Sequence, residues 1–256
     1  MKDPKEYNVR SIERAIQILD CFDDENPTWG LSEIAQEVGL HKATTHRIMT
    51  TLLNYNYLEK TNDGQKYRLG TRLASLGCSV LHRLGLQDVA RPYMEELVEK
   101  YNEAVDLSVF DGREILYLEV LQSNHALTIA ASPGMRLPAH CTASGKVFLA
   151  FLAQNELTEF LRHPLRQLTK NTVTDPAILK KNLQVIKNTG FAVDDEEMEI
   201  GIKAISTPIF DQRGDVIAAI SIPGPSSRIP DEKISEFASS LKQTSKNISH
   251  ILGLRK

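Results

Sequence analysis

The sequence lacks any run approaching the roughly 18 consecutive apolar residues of a membrane-spanning helix. Residues 1–10 are charged and have no apolar core of the kind a secretory signal needs. The chain is therefore expected to stay in the cytoplasm, with no membrane partner. Cysteine is scarce as well. Cys21, Cys78 and Cys141 are odd in number, far apart and in no CxxC pair, which argues against a disulfide framework and a structural zinc site. No metal and no cofactor is expected. Nor is there a surplus of positive charge, since the formal net charge is −3.

What is present is ordinary globular composition, 41% hydrophobic and 25% charged, over 256 residues, enough for one large or two modest domains. The charge is unevenly spread. Residues 1–40 carry four Lys or Arg against nine acids, whereas residues 41–70 carry five cations against two acids. Because phosphate attraction is screened within about 10 Å, a local basic segment counts for more than the overall balance.

Apolar residues recur at helical spacing over residues 9–22 through Ile12, Ala15, Ile16, Leu19 and Phe22, with Ser11 placed to cap. Asn26, Pro27 and Gly30 interrupt this helix, and a short second one follows from Ser32, whose hydroxyl can cap it. A third starts at Lys42 and turns Ile48 and Leu52 inward. Asn56 is suited to the left-handed conformation that ends it. Two short strands, residues 57–61 and 66–69, surround Asn62-Asp63-Gly64, a turn that favours a hairpin. Tyr67 and Leu69 are expected to close the core. Residues 71–91 read as a linker helix, and Pro92 as the first turn of another.

Beyond this the pattern mixes strands and helices. Strands are expected at residues 105–110 and 114–121, joined by Asp111-Gly112, and at 127–131, 191–194, 202–210 and 216–222. Helices are expected at residues 143–152, 156–162, 176–188 and 230–252. The fold class is α+β: an N-terminal winged helix-turn-helix, a linker helix, and a C-terminal domain with an antiparallel sheet flanked by helices. The division is residues 1–70, 71–91 and 92–256.

A helix-turn-helix places the first turns of its second helix in the major groove of double-stranded DNA. Here those turns carry Lys42, Thr44, Thr45, His46 and Arg47. Arginine can bond guanine bidentately, threonine methyls can meet a thymine methyl, and lysine or hydroxyls can hold phosphates. In the wing, Lys60, Gln65 and Lys66 lie beside the tip, within reach of a neighbouring backbone. The competing reading is a three-helix domain with a solvated polar face, and the clustering of cations in the third helix and wing favours DNA.

The segments Ser11-Ile-Glu-Arg-Ala-Ile-Gln-Ile-Leu19, Leu40-His-Lys-Ala-Thr-Thr-His-Arg47 and Tyr67-Arg-Leu-Gly70 together resemble the IclR family of bacterial transcriptional regulators. So do Arg136-Leu-Pro-Ala-His-Cys-Thr-Ala-Ser-Gly-Lys146, Gly190-Phe-Ala-Val-Asp-Asp-Glu-Glu197 and Ile220-Ser-Ile-Pro-Gly-Pro225. The resemblance implies a GAF-like effector domain, a linker helix that pairs subunits, and a homodimer or homotetramer. It implies a pocket involving Leu137, Ala143, Ser144, Asp194 and Ser221, for a small organic effector such as a carboxylate. That fits the chemistry, since N–H groups at a helix start can receive an anion. Ala204 and Pro223 stand where many members carry cysteine and serine, and Ala43 replaces a usual serine.

The expected function is a sequence-specific DNA-binding repressor controlled by an effector, without catalysis. Two alternatives stand beside it: an enzyme using a Ser144/Lys146 pocket, and a structural DNA-bridging protein without an effector. The first is disfavoured because Val147 follows Gly145-Lys146 where a P-loop needs Ser or Thr, and no G-x-S-x-G elbow is present. His140 and Cys141 are adjacent and lack a third partner, so they read poorly as a nucleophile and base. Asp195 and Glu197 are expected to sit in a solvated acidic loop.

Overall fold

The computed structural model describes residues 9–23, 26–61, 63–76, 85–126 and 128–253. The chain divides into two compact units, residues 1–83 and 84–256.

The first unit holds α1 (Arg10–Leu19), α2 (Leu31–Glu37), α3 (Lys42–Asn54), β1 (Leu58–Lys60) and β2 (Tyr67–Leu69). Ile18, Ile34, Met49, Leu58 and Tyr67, one from each element, form its core together with Phe22 from the turn after α1. Two expected caps are replaced. Val9 precedes α1 and Ser11 lies inside it, while α2 starts one residue before Ser32, with the Gly30 N–H donating to Glu33 Oε2 at 2.6 Å. Asn56, at φ 60°, turns the chain out of α3 into the wing. The wing strands pair antiparallel, Leu58 opposite Leu69 and Lys60 opposite Tyr67. Tyr67 also exchanges backbone hydrogen bonds with Trp29, which fastens the loop before α2 to the wing. Leu69 is 42% exposed, so only Tyr67 of the expected pair closes the core. Residues 71–76 are helical, and 77–84 of the expected linker helix lie outside the described residues.

The second unit begins with α4 (Leu86–Tyr101), followed by β3 (Val105–Asp111), β4 (Glu114–Leu121), β5 (Arg136–Pro138), α5 (Ala143–Phe151), α6 (Gln154–Phe160), α7 (Pro176–Thr189), β6 (Ala192–Asp195), β7 (Ile202–Phe210), β8 (Val216–Pro225) and α8 (Asp231–Ile251). Pro92 does not open a helix, because α4 runs straight through it. The lost hydrogen bond is offset by the burial of Leu86, Ala90, Met94 and Leu97 along one side.

All pairings in the six-stranded sheet, ordered β5-β4-β3-β8-β7-β6, are antiparallel. The expected strand at residues 127–131 is not one: Leu127 lies outside the described residues, and 128–131 are irregular. A turn through Ser132-Pro133-Gly134 brings the next segment alongside β4 instead, with the Tyr117 N–H donating to Met135 O at 3.0 Å. Arg136–Pro138 then takes the sheet edge, where a proline costs no ladder bond.

Residues 218–224 of β8 are all buried, and successive side chains point to opposite faces, so helices cover both sides of the sheet. Phe148 of α5 and Leu179, Leu183 and Ile186 of α7 pack with Ile115, Tyr117 and Ala219. On the other layer, Tyr101 of α4 stacks on Phe237 of α8 at 4.3 Å.

Candidate functional site

In the first unit, α3 presents an exposed stripe. Lys42 and His46 are four residues apart, as are Ala43 and Arg47, so each pair lies one turn above the other. All four are exposed, and Thr44 is half-buried. Thr45 departs from the expected reading face: it is 0% exposed and its hydroxyl donates to the His41 carbonyl at 3.3 Å. The helical period explains this, because Thr45 shares the inward side with Ile48, Met49 and Leu52. No acidic residue stands in the first turn of α3, and neither Lys42 nor Arg47 has an ion-pair partner among the described residues. Lys60, Gln65 and Lys66 are exposed at the wing. Lys66 lies 3.8 Å from Glu33 of α2, with both side chains about half exposed, an arrangement that holds little energy.

In the second unit, all five pocket residues expected from the family resemblance converge on one cavity of ≈ 90 Å³ between α5, the sheet and the loop after β6. Leu137 comes from β5, Ala143 and Ser144 from the first turn of α5, Asp194 from β6 and Ser221 from β8. Thr142 caps α5, accepting the Gly145 N–H at 3.2 Å, and directs that turn at the cavity. Gly145 is required by packing: a Cβ there would overlap the backbone of Ala139. Ser144 Oγ lies 2.6 Å from Ser221 Oγ, which donates to Ser206 Oγ at 3.0 Å, which in turn donates to the Ile220 carbonyl at 3.1 Å.

Three carboxyl groups line the cavity, those of Asp106, Asp194 and Glu199. Asp194 Oδ1 accepts the Glu197 and Met198 N–H groups at 2.8 and 3.3 Å and so shapes the loop over the pocket. Its burial pushes its pKa up to about 7, against the nearby positive charge of Lys146. Asp106 of β3 is 1% exposed, and burial pushes it up to about 7 as well, with the Ser221 hydroxyl pulling the other way. Tyr117 completes this wall. Asp106 and Tyr117 escaped the sequence reading. Among the described residues that line the cavity, none is a lysine, arginine or histidine.

Lys146 does not enter the cavity. It is 3% exposed, donates to the Val193 carbonyl at 2.6 Å and is paired with Glu197. Glu197 is accordingly 7% exposed, a correction to the expected solvated loop, whereas Asp195 stays exposed at the surface. The cause is topological: α5 carries its lysine under the loop, and only a buried acid can neutralise it there. Thr172 Oγ1 donates to the Glu197 carbonyl at 2.7 Å and clamps the same loop. His140 Nε2 meets the Arg166 carbonyl at 2.8 Å, and burial pushes the Cys141 thiol up to about 12, so the two do not form a nucleophile and base.

No helix among the described residues is long and apolar enough to cross a membrane. Residues 11–62 match the IclR helix-turn-helix domain, and residues 78–250 match the C-terminal domain of the bacterial transcriptional regulator IclR. The transcriptional repressor IclR of Escherichia coli K12 is 31% identical over 253 residues, covering 98% of this chain and 92% of the relative. The regulator XynR of the same strain is 32% identical over 246 residues, covering 96% and 98%. The crystal structure of the Thermotoga maritima IclR superposes with a TM-score of 0.73 at 32% identity, covering 96% of this chain and all of that one. An IclR homolog from Microbacterium hydrocarbonoxydans, crystallised in complex with 4-hydroxybenzoate, superposes with a TM-score of 0.84 at 29% identity, covering 94% and 98%. Both units and their order along the chain are thus shared with these regulators, and the chain belongs to the IclR family of bacterial transcriptional regulators.

Proposed function

We propose that this chain is a repressor that binds operator DNA through α3 and the wing and releases or holds it according to a small carboxylate bound in the Ser144–Ser221 cavity. The observation that carries the reading is the convergence of five residues from four separate elements on that cavity. The exposed stripe of Lys42, His46 and Arg47 supplies the other half. Arg47 reads a base, Lys42 and Lys66 hold phosphates, and Thr45 supports the helix from inside. The effector carboxylate sits at the first turn of α5, where the N–H groups and positive helix end favour it.

Two or four chains assemble, with the segment over residues 71–91 joining the domain of residues 1–70 to that of 92–256. Effector binding shifts the population of subunit arrangements and so the spacing of the paired α3 helices, whose half-sites must lie on one face of the duplex. The chain works in the cytoplasm and performs no catalysis. Lys146, the residue an enzymatic reading needs, is spent on Glu197.

The test is selection of bound fragments from the source genome by the full chain, followed by gel shifts of the selected operator. Arg47→Ala weakens binding by about 1–3 kcal/mol, and Lys66→Ala lowers the salt slope by about one. Unchanged shifts for both variants contradict the placement.

A further inference from the structure

Asp106 has an unmet demand. Its Oδ1 is buried and accepts no hydrogen bond among the described residues, although the cavity opens beside it. A buried acceptor left without a donor is costly, and few native ones lack an explanation. The serine hydroxyls beside it are directed at one another rather than at Oδ1. Each serine carries a single hydroxyl proton. That of Ser206 goes to the Ile220 carbonyl and that of Ser221 to Ser206, which leaves Ser144 to donate to Ser221. The row is saturated. Asp194, also in the wall, already has two backbone donors. With no cationic side chain in the lining and no protein donor on Oδ1, a ligand hydroxyl in the cavity is placed to supply the missing bond.

We infer that the effector is a hydroxylated acid whose hydroxyl donates to Asp106 Oδ1, and that Asp106 is the residue that selects it over acids lacking that hydroxyl. This rests on the effector reading of the cavity and adds a second anchor to it. The carboxylate occupies the first turn of α5, and the hydroxyl occupies the β3 side, next to the cross-strand pair of Asp106 and Ser221. A simple carboxylate held at the first turn of α5 would leave Asp106 Oδ1 unsatisfied. A site built around such a bond rejects the analogue without the hydroxyl strongly, because its own polar group is then left unpaired.

The experiment titrates the full chain with matched probes, glycolate against acetate, lactate against propionate, and 4-hydroxybenzoate against benzoate, reading the melting shift and the dissociation constant by calorimetry. At pH 8, where the Asp106 carboxyl is ionised and can only accept, the hydroxylated member of at least one pair is expected to bind roughly tenfold or more tightly than its partner, the scale of a hydrogen bond to a charged group. In Asp106→Ala that preference falls to near unity. Equal binding of hydroxylated and plain acids by the unaltered chain overturns the inference while leaving the effector pocket standing, and it requires no variant to fold. A preference retained in Asp106→Ala also overturns it. Absence of binding by every probe overturns this inference and the effector reading together.

Discussion

Ser144, in the first turn of α5, and Ser221, in the centre of β8, meet Oγ to Oγ at 2.6 Å and join the helix to the sheet at the floor of the cavity. The contact is buried, with Ser144 3% and Ser221 1% exposed, so both hydroxyls depend on each other and on Ser206. Ser221→Ala leaves Ser144 and Ser206 each short of a partner. The expected loss is about 1–3 kcal/mol of unfolding free energy, measured by urea denaturation. A variant as stable as the parent would mean that the row contributes nothing.

The Lys146–Glu197 pair lies almost wholly inside the protein, with side chains 4% and 9% exposed. Removing one charge strands the other. Lys146→Met is expected to cost about 3–5 kcal/mol, and adding Glu197→Leu to recover much of it, because a buried pair replaced whole by apolar groups is often neutral. Denaturation of both variants checks this, and a harmless single substitution would contradict it.

Asp106 and Asp194 titrate near 7 in the folded chain, raised from an ordinary 3.8. Between those values the folded state holds protons that the unfolded state has released. Stability from these groups is therefore fullest at low pH and is lost as pH rises towards 7. Asp106→Asn removes one of the two contributions. Measured from pH 4 to 8, the variant should gain on the parent as pH rises and then level off above about 7. A constant difference across the range would contradict the assignment.

Thr45 and Arg47 stand two residues apart on α3 with opposite environments, one buried and one exposed. Arg47→Ala should weaken operator binding without unfolding the domain. Thr45→Val, which replaces the hydroxyl at nearly constant volume, should leave operator affinity within about twofold, the scale of a change that breaks no base contact. Gel shifts with both variants decide which side of the helix reads DNA, and the reverse ranking would place the reading face wrongly.

Much of this architecture was legible in the residues. The 3.6-residue period located α3, the Asp-Gly steps located the wing and the β3–β4 hairpin, and β7 appeared at its observed bounds, Ile202–Phe210. The period also contained the answer for Thr45, but polarity outweighed it. Pro92 misled because proline usually marks a helix start, and here tertiary burial of four apolar residues carried the helix across it. The cavity residues were legible only through resemblance to relatives, since small and polar residues on separate strands carry no local signal. Asp106 lay outside even that. On an alternating strand an aspartate reads as solvent-facing, and only helices on both sides of the sheet turn it into a buried wall of the pocket.

The most direct measurement titrates a genome-selected operator fragment with the full chain by fluorescence anisotropy, with and without the hydroxy acid that gives the largest melting shift. The account predicts a change in operator affinity of about fivefold or more, the lower range of allosteric coupling. It also predicts loss of that change in Ser144→Leu, which fills the cavity. Superimposable binding curves with and without the acid, at concentrations that saturate its melting shift, would contradict effector control of DNA binding.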